Sequence, residues 1–227
     1  MRTRTLLLAA ALSVAGLATS SAQSNVYSLN VVGYINVTCQ AGKLTPLANQ
    51  LDLDGTGSNN TLNSALGSLT SGSRVYAFDN GGWVFVTKSG ATTWIGAASN
   101  TVNSAIQPGH GVMVSAPAGS DQVVTLVGNV LQGSLNNNPI TSAAGFLQFT
   151  SSKVPQAGGI QSDLGYSPVA GDRVIQWNQA GQAWAAQIHT FASGTTWIGG
   201  QPTNAVAEPV MLTAKTGATW VRNFTVQ

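Results

Sequence analysis

The stretch RVYAFDNGGWVFVT, Arg74 to Thr87, decides how the rest of the chain is read. Apolar and polar residues alternate on either side of Asp79, Asn80, Gly81 and Gly82, and turn residues between two alternating runs predict a β-hairpin. The same hairpin is spelled again as RVIQW and AWAAQ, spanning Arg173 to Gln187. Further out, GKLTPLANQL from Gly42 answers GFLQFTSSKV from Gly145, and TLNSALG from Thr61 answers GIQSDLG from Gly159. GVMVSAPAG from Gly111 answers PVMLTAKTG from Pro209, and TTWIG stands at both Thr92–Gly96 and Thr195–Gly199. The copies lie about one hundred residues apart, a period too long for a solenoid repeat and right for two small domains.

The expected fold class is therefore all-β: two tandem pseudo-equivalent β-sandwich or barrel-like units, the first over residues 23–128 and the second over 129–227. Leu62, Leu66 and Leu69 recur at helical spacing behind the polar caps Asn60 and Thr61, and Ile160 and Leu164 repeat the pattern. One short helical turn per unit follows. A third recurrence, VVGYIN from Val31, LVGNVL from Leu126 and WVRNFT from Trp220, predicts a strand flanking each unit, the middle copy shared. The outer copies, Val31 to Thr38 and Val221 to Val226, then lack one neighbour each: either they pair with each other or are covered by loops, or their unpaired edges recruit another chain.

Residues 1–22 read as a secretory signal peptide, with Arg2 and Arg4 ahead of an apolar run from Leu6 to Leu17 and small residues before a cut after Ala22. That run is shorter than the ~20 residues of a membrane span, and no later stretch replaces it. The mature chain is expected to be secreted, extracellular or at the cell surface. Without Arg2 and Arg4 the nine Lys and Arg fall to seven, against seven Asp and Glu. The remaining cations are scattered singly, so nucleic acid is excluded as a partner. Only 7% of residues are charged, 43% are hydrophobic and 26 are glycine, which suits turn-rich β-structure. Cys39 has no internal partner and is buried, free or paired with another chain; burial is the commoner fate of such a residue.

The order of AG-x-L, RVYAFDNGGW and QPGHGVMV resembles a β-rich module of exported bacterial proteins. NVVGYINVT followed by ANQL resembles, more narrowly, uncharacterised secreted β-rich proteins of Verrucomicrobia-type bacteria. The resemblance covers nearly all of the mature chain and implies a duplicated exported β-module with no catalytic residue to carry over. Lys43 stands where the module usually has an aromatic, and AEPVML replaces its glycine-rich turn.

Residues that carry chemistry are few. His110 lies in the turn PGHGV opposite Glu208 of the second copy, and His189 aligns with Lys88; no G-x-S-x-G elbow lies near either. The seven acids include a single glutamate, which argues against a glycosidase pair. Asp52 and Asp54 in DLDGTGSNN match the first positions of a calcium loop, but Asn63 stands where its bidentate glutamate belongs. Calcium at Asp52 and Asp54 is the one cofactor candidate. Trp94 and Trp197 of the repeated TTWIG have two readings: each ring closes one end of its own core, or the pair displays aromatic surfaces to polysaccharide.

The function expected is that of a non-enzymatic extracellular or cell-surface structural protein whose partners are itself or other surface proteins through edge strands. A carbohydrate-binding module pair using Trp94 and Trp197 is the alternative.

Overall fold

The computed structural model describes residues 31–56, 60–140 and 147–224. The expected signal peptide and its cleavage site lie outside the described residues. In chain order the first half contains β1 (Val32–Cys39), β2 (Leu44–Ala48), α1 (Leu62–Leu66), β3 (Arg74–Asp79), β4 (Gly82–Lys88), β5 (Trp94–Ile95), α2 (Ser99–Ser104), β6 (Gly111–Ser115) and β7 (Gln122–Asn129). After a 3-10 turn at Gly133–Asn136 follow β8 (Asn138–Ile140), β9 (Leu147–Thr150), β10 (Gly158–Gly159), β11 (Arg173–Asn178) and β12 (Ala183–Ser193). The chain then runs through β13 (Thr196–Ile198), β14 (Thr203–Asn204), β15 (Val210–Thr213) and β16 (Ala218–Trp220). The protein is mostly β, and all its paired strands run antiparallel.

Two five-stranded sheets dominate, one ordered β2-β6-β3-β4-β5 and the other β9-β15-β11-β12-β13. Chain order maps onto sheet order in the same way in both. The registers match as well: Tyr76 faces Met113 as Ile175 faces Met211, and Pro46 faces Met113 as Phe149 faces Met211.

The two hairpins close differently. Between β3 and β4 the loop is Asn80-Gly81, both with positive φ (46° and 85°), the two-residue turn whose twist matches its strands. Between β11 and β12 no Asn-Gly pair is available, and four residues, Gln179 to Gln182, make the turn. The second hairpin was expected to end at Gln187, but β12 runs on to Ser193. A register shift between Ile175 and Trp177 places extra residues on β12, so Arg173 pairs with Thr190. His189 consequently pairs with Val174 as Val86 pairs with Val75, and it does not occupy the place of Lys88.

The helical expectations divide. α1 forms behind Thr61, whose hydroxyl accepts the Ser64 N–H while the Ser64 hydroxyl accepts the Thr61 N–H, a reciprocal cap. Its counterpart at Ile160 to Leu164 is a hydrogen-bonded turn, because Gly159 stands in the Thr61 position without a capping side chain. α2, with one buried residue, Val102, has no apolar periodicity to announce it.

Strand alternation sorts the side chains into three cores. Val75, Val86, Val112 and Val114 of the first sheet pack with Leu62 and Leu66 of α1 and with Ile35, Cys39, Val124 and Leu126 from the paired ribbon β1–β7. Val174, Val210 and Leu212 pack with Ile160, Leu164, Tyr166, Trp197 and Trp220. Alternate residues on the opposite faces, Tyr76, Phe78 and Met113 from one sheet and Phe149, Ile175, Trp177, Trp184 and Met211 from the other, meet in a third cluster. The two sheets therefore lie face to face, each with a second core behind it.

A polar seam fixes their placement. The Ala48 N–H donates to the Ala207 carbonyl and the Ser151 N–H to the Gly109 carbonyl, both at 2.9 Å, and both acceptors have positive φ (60° and 91°). Buried Gln50 accepts the Ala207 N–H at 2.8 Å and donates to the Ser152 carbonyl at 3.1 Å. Gln182 reaches across to edge strand β2, accepting the Leu44 N–H and donating to the Leu44 carbonyl as a neighbouring strand would. Residues from Val31 onward accordingly form one unit.

The glycine common to the first two flanking strands also finds its reason. Gly33 and Gly128 are cross-strand partners, and the segment around Asp52 crosses beside them with Asp52 and Asn129 exchanging backbone hydrogen bonds. A Cβ on Gly128 would strike the Asp52 carbonyl, and one on Gly33 the Leu51 side chain. The third copy has Arg222 at this position and departs from expectation: β16 ends at Trp220, pairs with β8, and residues 221–224 carry no strand.

Two measurements check this architecture. Gln50→Leu leaves the buried Ala207 N–H without a partner and the Ser152 carbonyl with the Ser151 hydroxyl alone, so urea unfolding should show a loss of roughly 1–3 kcal/mol. A loss below about 1 kcal/mol would refute the seam. Cys39 is free and fully buried, and burial pushes its thiol up to about 12. The native protein at pH 8 should resist a chromogenic disulfide reagent that titrates one thiol in urea.

Candidate functional site

The repeated pentapeptide occupies matching places. Trp94 pairs with Lys88 at the outer edge of the first sheet, as Trp197 pairs with Phe191 in the second. Each indole N–H is bound inward, Trp94 to the Asn63 side-chain oxygen at 2.9 Å and Trp197 to that of Gln161 at 3.0 Å. What lies over the ring differs. Phe191 meets Trp197 edge to face at 5.3 Å, and Trp197 is 6% exposed. Lys88, itself 2% exposed, places its ammonium 5.2 Å from the Trp94 ring centre and donates to the carbonyl of Gly67, the C-terminal cap of α1. Trp94 remains half-buried.

The acidic loop is organised by its own backbone. Asp52 is buried, and its carboxylate accepts the Gly55 N–H at 3.2 Å. Exposed Asp54 accepts the Thr56 N–H and hydroxyl, and the Thr56 N–H first of all holds its carboxyl below the usual range. Gly57 lies outside the described residues. Among the described residues no three His, Cys, Asp or Glu side chains gather as a metal group.

The remaining titratable groups are dispersed. His110 is exposed beside Thr150, and His189 binds the Gly200 carbonyl through Nδ1 at 2.8 Å. Buried Asp172 accepts the Tyr166 hydroxyl, the Val169 N–H and the Lys215 N–H, holding three segments of the second core together. Burial, with Asp172 alongside, raises the Tyr166 phenol above its ordinary value.

The accessible aromatic surface lies where sequence reasoning did not look. Trp83 stacks on Trp184 with centroids 6.4 Å apart, Trp184 meets Trp177 edge-on at 5.3 Å, and Phe149 meets both Trp83 and Trp184. Together with Leu44, Tyr76 and Met113, these tryptophans line a 260 Å³ apolar cleft between the sheets. Trp83 and Trp184 are matching residues of the two hairpins, and that correspondence was the available signal. Their meeting across the sheets was not legible from it.

No protein-family model, curated protein or solved structure matches this chain. Among the described residues no helix is long and apolar enough to cross a membrane.

The different environments of the repeated tryptophans give unequal costs of truncation. Trp197→Ala should lower unfolding stability by roughly 3–5 kcal/mol and Trp94→Ala by clearly less, because the Trp94 site is already open to water. Equal losses in parallel urea titrations would contradict this.

Proposed function

We propose that this chain is an exported, non-enzymatic structural protein of the cell exterior that associates with copies of itself through the ribbon β1–β7. On this reading its two halves, 23–128 and 129–227, are copies of one β-unit. The identical strand orders, the matching registers and the paired bonds of Ala48 and Ser151 support a duplication.

The observation that carries the function is the outer face of the ribbon. Val32 and Tyr34 on β1 are 65% and 66% exposed, and Val123 and Val127 on β7 are 53% and 50% exposed. Tyr34 lies directly opposite Val127 with Val32 beside them, while the hydrogen-bonded pair Asn36 and Thr125 separates this apolar group from Val123. Neither strand carries a charge or a proline, the devices by which exposed edges discourage pairing. Among the described residues no strand pairs with the far edge of β1. Two copies joined edge to edge at β1 would form one four-stranded sheet and continue the apolar face, and a two-fold axis closes such a contact. β16, short and paired with β8, offers a poorer edge than the flanking-strand repeat led us to expect.

Sedimentation velocity on residues 23–227 tests this reading. A concentration-dependent dimer is expected, reduced to monomer by Tyr34→Lys, a change at an exposed site that should leave thermal unfolding nearly unaltered. A monomer at all concentrations for the native sequence would overturn it.

A further inference from the structure

Where the end of β1 and the start of β2 approach the loop before β15, a groove of 310 Å³ opens between the two halves. That volume is at the lower end of the ~300–1,000 Å³ of small-ligand sites, and junctions between units are where such sites concentrate. Trp177 forms one wall and is shared with the apolar cleft between the sheets. Its indole N–H donates to the Gln179 side-chain oxygen at 3.1 Å, and the Gln179 amide donates to the Gln40 side-chain oxygen at 3.1 Å. This chain of bonds crosses from one half to the other and fixes both ring and amides before any ligand arrives. The Gln40 amide nitrogen and the Thr38 hydroxyl have no partner among the described residues. Opposite, Glu208 accepts the Ala205 N–H through one carboxylate oxygen, and the other has no such partner.

An aromatic wall with a rim of amides, hydroxyls and a single carboxylate discriminates among ligand classes. A wholly apolar ligand would strip water from the rim without replacing its hydrogen bonds. An anion would meet Glu208 and no cation, since neither Lys nor Arg lines the groove. A pyranose ring has an apolar C–H face for the indole and hydroxyls that both donate and accept. We infer that the groove formed by Trp177, Gln179, Gln40, Thr38 and Glu208 binds a neutral polysaccharide, with the sugar ring stacked on Trp177. This assigns glycan recognition to a different tryptophan from those of the repeated pentapeptide, and the groove borrows Asn36, Val37 and Thr38 from β1, the strand assigned above to self-association.

Native gel electrophoresis through hydroxyethylcellulose, galactomannan or xylan, with polygalacturonate as the anionic control, tests the inference on residues 23–227. Retardation is expected in at least one neutral gel and not in polygalacturonate, and it should persist in the Tyr34→Lys variant, separating binding from assembly. Gln40→Ala should weaken the interaction about tenfold, as expected for one hydrogen-bonding group worth about 1.4 kcal/mol. Trp177→Ala should abolish it. Because Trp177 also packs on Trp184, Gln40→Ala decides the outcome if Trp177→Ala fails to fold. No retardation in any neutral gel, unchanged retardation of Gln40→Ala, or loss caused instead by Trp94→Ala would each overturn the proposal.

Discussion

A β-sheet whose residues are apolar on both faces has to be covered twice, and this constraint shapes the whole molecule. In β3, β6, β11 and β15 the apolar side chains are Val, Ala and Leu on one side and Tyr, Phe, Met, Ile and Trp on the other. The smaller set packs beneath the local elements of each half. The larger set has no local cover, so the two sheets cover each other. Large flat rings at this contact bury much area per residue, and their edge-to-face arrangement around Trp184 is the favoured geometry for aromatic groups.

Apolar contact of this kind is strong but poorly directional, and the polar seam supplies the registration. Gln50 and Asn138 are nearly inaccessible, and each binds backbone of the opposite half, Gln50 that of Ala207 and Ser152 and Asn138 that of Gly109. A sliding displacement of one sheet on the other would break these buried cross-bonds, at a cost of several kcal/mol. The same seam brings the Gln40 loop against Trp177 and thereby creates the groove. Stability and the proposed recognition surface thus arise from one junction.

The repeated TTWIG shows how similar segments come to differ in physical character. In both halves the indole ties the outer strand to the turn or helix beneath it through an amide side chain. In the second half a phenylalanine completes an apolar stack. In the first a lysine serves, because its aliphatic stem can be buried while its ammonium finds the carbonyl at the end of α1. The pentapeptide is thus explained by what holds each half together.

Much of the architecture was legible because it depends on local pattern. Alternation in RVYAF and WVFVT, the Asn80-Gly81 turn and the Thr61 cap each act over a few residues, so the sequence alone indicated the hairpins, α1 and an all-β chain. The buried state of Cys39 followed from its chemistry. α2 and the shift within β12 left no such mark, since neither has a periodicity of its own. Similar segments pointed to matching residues, yet a match in sequence does not determine contact: Trp83 and Trp184 touch because two faces without local cover had to meet. The groove at Trp177 draws its walls from residues more than a hundred positions apart, held by long-range hydrogen bonds and shared burial. Those depend on how one half docks on the other, which only the tertiary structure decided.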